Sequence, residues 1–147
     1  MYYEEEIKAL NQSRLKYLIV GGLAVNLYGV HRLTRDLDLM IDISEENLNK
    51  FAEIMKKLGY ASKITLEKAK NLVALCFHHT KDEFKQIDIF LKNPIDFKKA
   101  YRRRKVIKVK NVPFSCASLQ DIIQMKEKAG RDRDWIDIGA LRKITKS

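Results

Sequence analysis

Residues 37–43, "LDLMIDI", alternate as a β-strand, yet Asp38 lies inside the run and Asp36 directly precedes it. In an extended chain, residues i and i+2 point to the same face. Asp36 and Asp38 are therefore expected to project together, with Leu37, Leu39 and Ile41 turned to the opposite, buried side. Two carboxylates held this close repel one another, so ionising both is costly unless a cation lies between them. Hard oxygen donors of this kind suit Mg²⁺ or Mn²⁺. Asp88, in "QIDIF", is likewise flanked by Ile87 and Ile89. Were its strand to lie beside residues 37–43, three carboxylates would converge, enough for two ions roughly 3.5–4 Å apart, the spacing used in in-line phosphoryl transfer.

The segment before these acids supplies a complementary feature. "LKYLIV" (15–20) has the pattern of a short strand, Gly21-Gly22 follows, and "LAVNLYG" then suits a helix closing near Gly29. Without Cβ atoms, a backbone between a strand and a helix start can approach a phosphate closely.

Around this centre the periodicities predict helices over 3–14 and from Ser44 to Gly59, with Ser44 as N-cap. They predict strands over 71–79 and 84–91 forming a hairpin, and a second hairpin of "KVIKVK" and "VPFSC" around Asn111. A helix is predicted from Ser118 to about Gly130, with Ser118 and Asp121 spaced as a capping box. A final helix, "RDRDWIDIGALRK", is expected to turn Trp135, Ile138 and Leu141 inward. With no linker, repeat or low-complexity stretch, residues 1–147 are expected to form one α/β (α+β) domain on a mixed β-sheet flanked by helices.

The net charge of +10 is uneven: residues 1–91 carry 13 basic and 13 acidic side chains, and residues 92–147 carry 16 and 6. Such an end suits a polyanion partner, and equally a Lys/Glu-rich solvated surface. The run "YRRRKVIKVK" (101–110) suits either a nucleic-acid backbone or, more simply, an edge strand protected by lysines. Cys76 and Cys116 lie in apolar runs without a CxxC pair, and are expected to be reduced core residues of a cytoplasmic protein. His31, His78 and His79 have no metal-ligand spacing. No apolar run approaches the roughly 20 residues needed to cross a membrane, and "MYYEEEIKAL" lacks the pattern of a secretory signal.

"GG" after a first strand, "DLD" on a second and a third Asp on a later strand resemble the nucleotidyltransferase superfamily of the DNA polymerase β type. "GGLAVNLYG" with "RLTRDLDLMID" is similar to its small bacterial and archaeal members, including abortive-infection-type toxins and antibiotic adenylyltransferases. The likeness spans about residues 15–141. The resemblance implies a nucleotidyltransferase-like fold and transfer of an NMP from an NTP, with ATP the expected donor, to an acceptor hydroxyl. It implies two Mg²⁺ (or Mn²⁺) ions on Asp36, Asp38 and Asp88, with Asp88 also activating the hydroxyl, and β- and γ-phosphate contacts from Gly21 and Gly22. Arg32, Thr34, Lys126 and Arg131 are candidates for nucleotide binding by charge and placement. The acceptor is not identified by the sequence: a nucleic acid and a protein are candidates for it, and a homodimer or an antitoxin-like partner is a candidate to complete the cleft. The alternative is a non-catalytic nucleotide- or nucleic-acid-binding module on the same fold.

Overall fold

A computed structural model describes residues 2–146, with the side chain of Lys146 left out. Helix α1 (Glu4–Ser13) buries Ile7 and Leu10, and Arg14 closes it in the left-handed conformation. Strand β1 (Tyr17–Val20) is buried throughout and runs directly into α2 (Gly21–Leu27). After a loop comes β2 (Leu37–Ile41), then α3 (Glu45–Lys57), whose first turn is capped by Ser44 Oγ accepting from Asn47 N–H. The short β3 (Tyr60–Ala61) and a 3₁₀ turn (Lys68–Asn71) lead into β4 (Ala74–His79) and β5 (Gln86–Phe90). Helix α4 (Phe97–Arg102) precedes the hairpin of β6 (Lys105–Val109) and β7 (Val112–Cys116), and α5 (Leu119–Ala129) and α6 (Asp132–Lys146) finish the chain.

The strands form one mixed seven-stranded sheet in the order β3-β4-β5-β2-β1-β7-β6. β1 pairs antiparallel with β2, β2 pairs parallel with β5, and β4 and β5 form the expected hairpin. β6 lies at an edge, where its lysines protect open backbone groups as the sequence suggested. Leu18, Ile19, Leu37, Leu39, Ile41, Phe51 and Phe114 are fully enclosed in the core. Helix α1 packs with α3, α2 with α5, and α5 with α6. Among the described residues, no helix is long and apolar enough to cross a membrane.

Four expectations need correction. Trp135 points outward with half its surface exposed, whereas Ile138 and Leu141 are buried as expected. Cys116 is a core residue, but Cys76 is exposed, because Leu75 and Phe77 take the buried side of β4. The capping box is half formed: Ser118 Oγ accepts from Asp121 N–H, but the Asp121 carboxylate turns away to make two hydrogen bonds with Arg103. The strand over 71–79 starts three residues later, after the 3₁₀ turn. Periodicity also missed β3 and α4, which are only two and six residues long.

Candidate active site

Strand pairing brings the three acids together. Asp38 of β2 stands directly opposite Asp88 of β5, and on its other side opposite Val20, the last residue of β1. Asp36 enters from the residue before β2. All three line one cleft of about 510 Å³, beside Gly21, Lys126, Arg131 and Arg133, with Phe90, Ile122 and Met125 in its apolar wall. A second hollow of about 280 Å³ shares Asp36 and Asp38 and adds Gly22, Arg32 and Thr34. Every residue named from the sequence as a candidate for catalysis, metal or nucleotide binding therefore lies at one of these two adjoining surfaces.

The electrostatics follow from this crowding. Burial and then the neighbouring Asp88 and Asp36 charges push the Asp38 carboxyl up to about 7, with Lys126 opposing the rise. Burial, followed by Asp88, also raises Asp36. Asp88 accepts from Gln86 Nε2 through both oxygens, at 2.8 and 3.1 Å. Among the described residues, no group of three or more His, Cys, Asp and Glu side chains stands ready to hold a metal ion. The donor set nevertheless fits a hard divalent cation: the oxygens share one face of two paired strands, and their repulsion is what a cation would relieve.

Gly21 has φ +69°, and a Cβ there would collide with Asp38 Oδ2. At Gly22 a Cβ would come within 2.6 Å of Thr34 Oγ1. The glycine pair thus lets β1 turn into α2 directly against the acids. No side chain caps α2.

The basic residues arrive already engaged. Lys126, buried in α5, lies 2.8 Å from Asp137 and 3.4 Å from Asp134 of α6. Asp137 also holds Arg32 at 2.8 Å, and Asp134 holds Arg131 at 2.7 Å. These two acids were not recognised in the sequence. Arg133, also missed, is exposed, lines both hollows, and has no ion-pair partner among the described residues. Gln86 and Cys76 were missed as well. Cys76 is the register partner of Asp88, and burial with an Asp88 hydrogen bond pushes its thiol up to about 11.

A tie from outside the sheet fixes the acid-bearing backbones. The buried Tyr3 hydroxyl donates to the Arg35 carbonyl, lies 3.1 Å from the Gln86 carbonyl and accepts from Gln86 N–H at 3.2 Å. It thereby joins the residue before Asp36 to the start of the strand carrying Asp88. Tyr3→Phe strands these partners without filling space, so a loss of about 1–2 kcal/mol is expected in urea unfolding. An unchanged midpoint would show that the tie carries no energy.

A mixed sheet with a glycine turn pressed against paired strand carboxylates is the arrangement that the resemblance in the sequence implies. Residues 2–145 match the family described as nucleotidyltransferase of unknown function, DUF6036, and the chain belongs to that family. The fold is similar to that of the lincosamide antibiotic adenylyltransferase LnuA in its lincomycin-bound structure, with a TM-score of 0.71 at 18% identity over 98% of each chain. It is also similar to ANT(2″)-Ia in complex with adenylyl-2″-tobramycin, with a TM-score of 0.66 at 15% identity, over 99% of this chain and 94% of that one. An antigenic nucleotidyltransferase-like protein from Paracoccidioides brasiliensis gives a TM-score of 0.65 at 14% identity, over 97% of this chain and 73% of that one. No curated protein sequence matches the chain.

Proposed function

We propose that this chain moves a nucleoside monophosphate from an NTP, with ATP the expected donor, to an acceptor hydroxyl. The observation that supports the reading most directly is the register pairing of Asp38 with Asp88, with Asp36 and Gly21 on the same cleft. The adenylyltransferases among the structures of similar fold support ATP as the donor.

In this reading Asp36, Asp38 and Asp88 would hold the divalent ions, Mg²⁺ or Mn²⁺, two in number. When bound, such ions neutralise phosphate charge and bring the reacting oxygens into line. The acceptor oxygen bonds to the α-phosphorus as the bond to the β-phosphate bridging oxygen breaks, and that electron pair leaves with pyrophosphate. The acceptor's proton passes to the Asp88 carboxylate and then to solvent. Gly21 and Gly22 keep the backbone at the start of α2 bare for the β- and γ-phosphates, and a side chain at either would displace Asp38 or Thr34. Arg131 and Arg133 offset the charge of the departing pyrophosphate. Lys126 contributes from its fixed seat between Asp134 and Asp137, and Arg32 and Thr34 line the adjoining hollow toward the phosphates or acceptor.

The test is incubation with α-³²P-labelled NTPs, Mg²⁺ and cell extract. A macromolecule labelled by wild type and not by Asp88→Asn is the expected result. Mg²⁺-dependent NTP binding with no labelled product under any metal would instead favour the non-catalytic module.

A further inference from the structure

At the end of β1 remote from the acids lies a groove of about 300 Å³ that the proposed transfer does not use. The C-terminal end of α1 contributes Leu10 and Asn11, followed by Arg14, and the start of β1 contributes Tyr17, preceded by Lys16. Tyr101 of α4, Arg104 and the β6–β7 hairpin form the other wall. Tyr17 and Val20 are three strand steps apart, about 10 Å, so this surface is separate from the carboxylate cleft.

Its chemistry is one-sided. Arg14, Lys16 and Arg104 are all exposed, none has a carboxylate partner among the described residues, and no Asp or Glu lines the groove. The cations are also placed rather than loose. Arg104 lies over the Tyr101 ring at 4.0 Å and Lys16 approaches the same ring at 5.5 Å. The Arg14 backbone, at φ 64°, closes α1 at the rim of the groove. Ser115 Oγ, on the groove wall, is buried without a hydrogen-bond partner. Exposed Lys108, on the same face of the adjoining edge strand as Val106, extends the positive surface. Elsewhere, Lys85 pairs with Glu6, Arg103 with Asp121, and Lys126 with two aspartates.

We infer that this groove seats the phosphodiester backbone of a nucleic acid, making a nucleic acid the acceptor class for the proposed transfer. Three cations gathered without a counter-charge suit several successive phosphates of a strand. The purpose assigned to the groove rests on the proposed activity, but binding does not. It is therefore tested with neither NTP nor metal present.

The experiment is fluorescence anisotropy of a labelled 20-nucleotide RNA, and of DNA of the same sequence, titrated with the full chain between 50 and 200 mM KCl. Combining Arg14→Ser, Lys16→Ser and Arg104→Ser should weaken binding at least tenfold at the lowest salt. It should reduce the salt slope by about 2, given roughly 0.7 per phosphate contact on a single strand. Lys50→Ser, Lys56→Ser and Lys57→Ser, which remove the same charge from exposed positions on α3, should change binding less than twofold. Should the triple fail to fold, Lys16→Ser alone should still weaken binding and lower the salt slope by about 0.7. Equal losses in the two triples, no loss in the groove triple, or displacement of the strand by inorganic phosphate at matched phosphate concentration would each overturn the inference. Failure here leaves the NTP labelling result untouched, and labelling can fail while the strand still binds.

Discussion

Asp38→Asn is expected to reduce nucleotidyl transfer at least a thousandfold while making the metal-free protein more stable. The loss follows from removing the carboxylate that lies between Asp88 and the glycine turn. The gain follows from the raised Asp38 carboxyl. Its folded-state value of about 7 lies above the ordinary aspartate value of 3.8. The folded chain therefore holds that proton more tightly than the unfolded chain does. The corresponding stability is fully present below about pH 4 and is lost as the pH climbs through about 7. Replacement by Asn removes this loss, worth on the order of 2–3 kcal/mol at pH 8. Urea unfolding in EDTA at pH 5 and pH 8 measures it: wild type should weaken between the two, and the variant much less. Stabilisation of wild type by added Mg²⁺ should grow over the same interval and level off above pH 7, since a protonated carboxyl is a poor ligand. A variant less stable than wild type at pH 8 in EDTA would contradict the account of the acidic cluster.

Gly21→Ala carries the second large effect, from two separable causes. The left-handed φ of +69° costs an alanine about 1 kcal/mol. The added methyl must also displace the Asp38 carboxylate, which is hemmed in by Asp88. A total loss of about 2–3 kcal/mol and at least a hundredfold loss of transfer are expected. Gly130→Ala is the control: its φ is +62°, but the nearest atom to a Cβ there is 3.6 Å away. That variant should lose only about 1 kcal/mol and keep its activity. Equal destabilisation of the two would mean that backbone conformation alone accounts for Gly21.

Much of the arrangement was legible because strand alternation is a simple code. Asp36, Asp38 and Asp88 stood out as charges on otherwise apolar strands, and the glycine pair marked where β1 gives way to α2. The same code, applied strictly, places Cys76 opposite Leu75 and Phe77, on the face of Asp88. The run "NLVALCF" is apolar enough to hide that alternation, so the exposed thiol does not stand out. Trp135 failed for a helical reason. Positions 134, 137, 138 and 141 form the inward stripe of α6, two aspartates and two aliphatic residues. Choosing inward residues by hydrophobicity alone selected the tryptophan and overlooked Asp134 and Asp137. These acids are buried because Arg131 meets Asp134 locally, three residues before it, and because Lys126 and Arg32 reach them from separate segments, a pairing that no local pattern encodes. Arg133 and Gln86 belong to the same class. Their relevance comes from what lies across the cleft, as does that of Tyr3, whose hydroxyl acts some 30 and 80 residues away in sequence.

Val20, Asp38 and Asp88 stand side by side on three adjacent strands. The separation between the turn and the acids is consequently set by the inter-strand spacing of about 4.8 Å, a dimension of the polypeptide itself. Side chains elsewhere in the cleft can be exchanged wholesale while that ruler stays in place. On the proposed reading, a scaffold of this kind allows its walls to be rebuilt for new acceptors at little risk to the three acids.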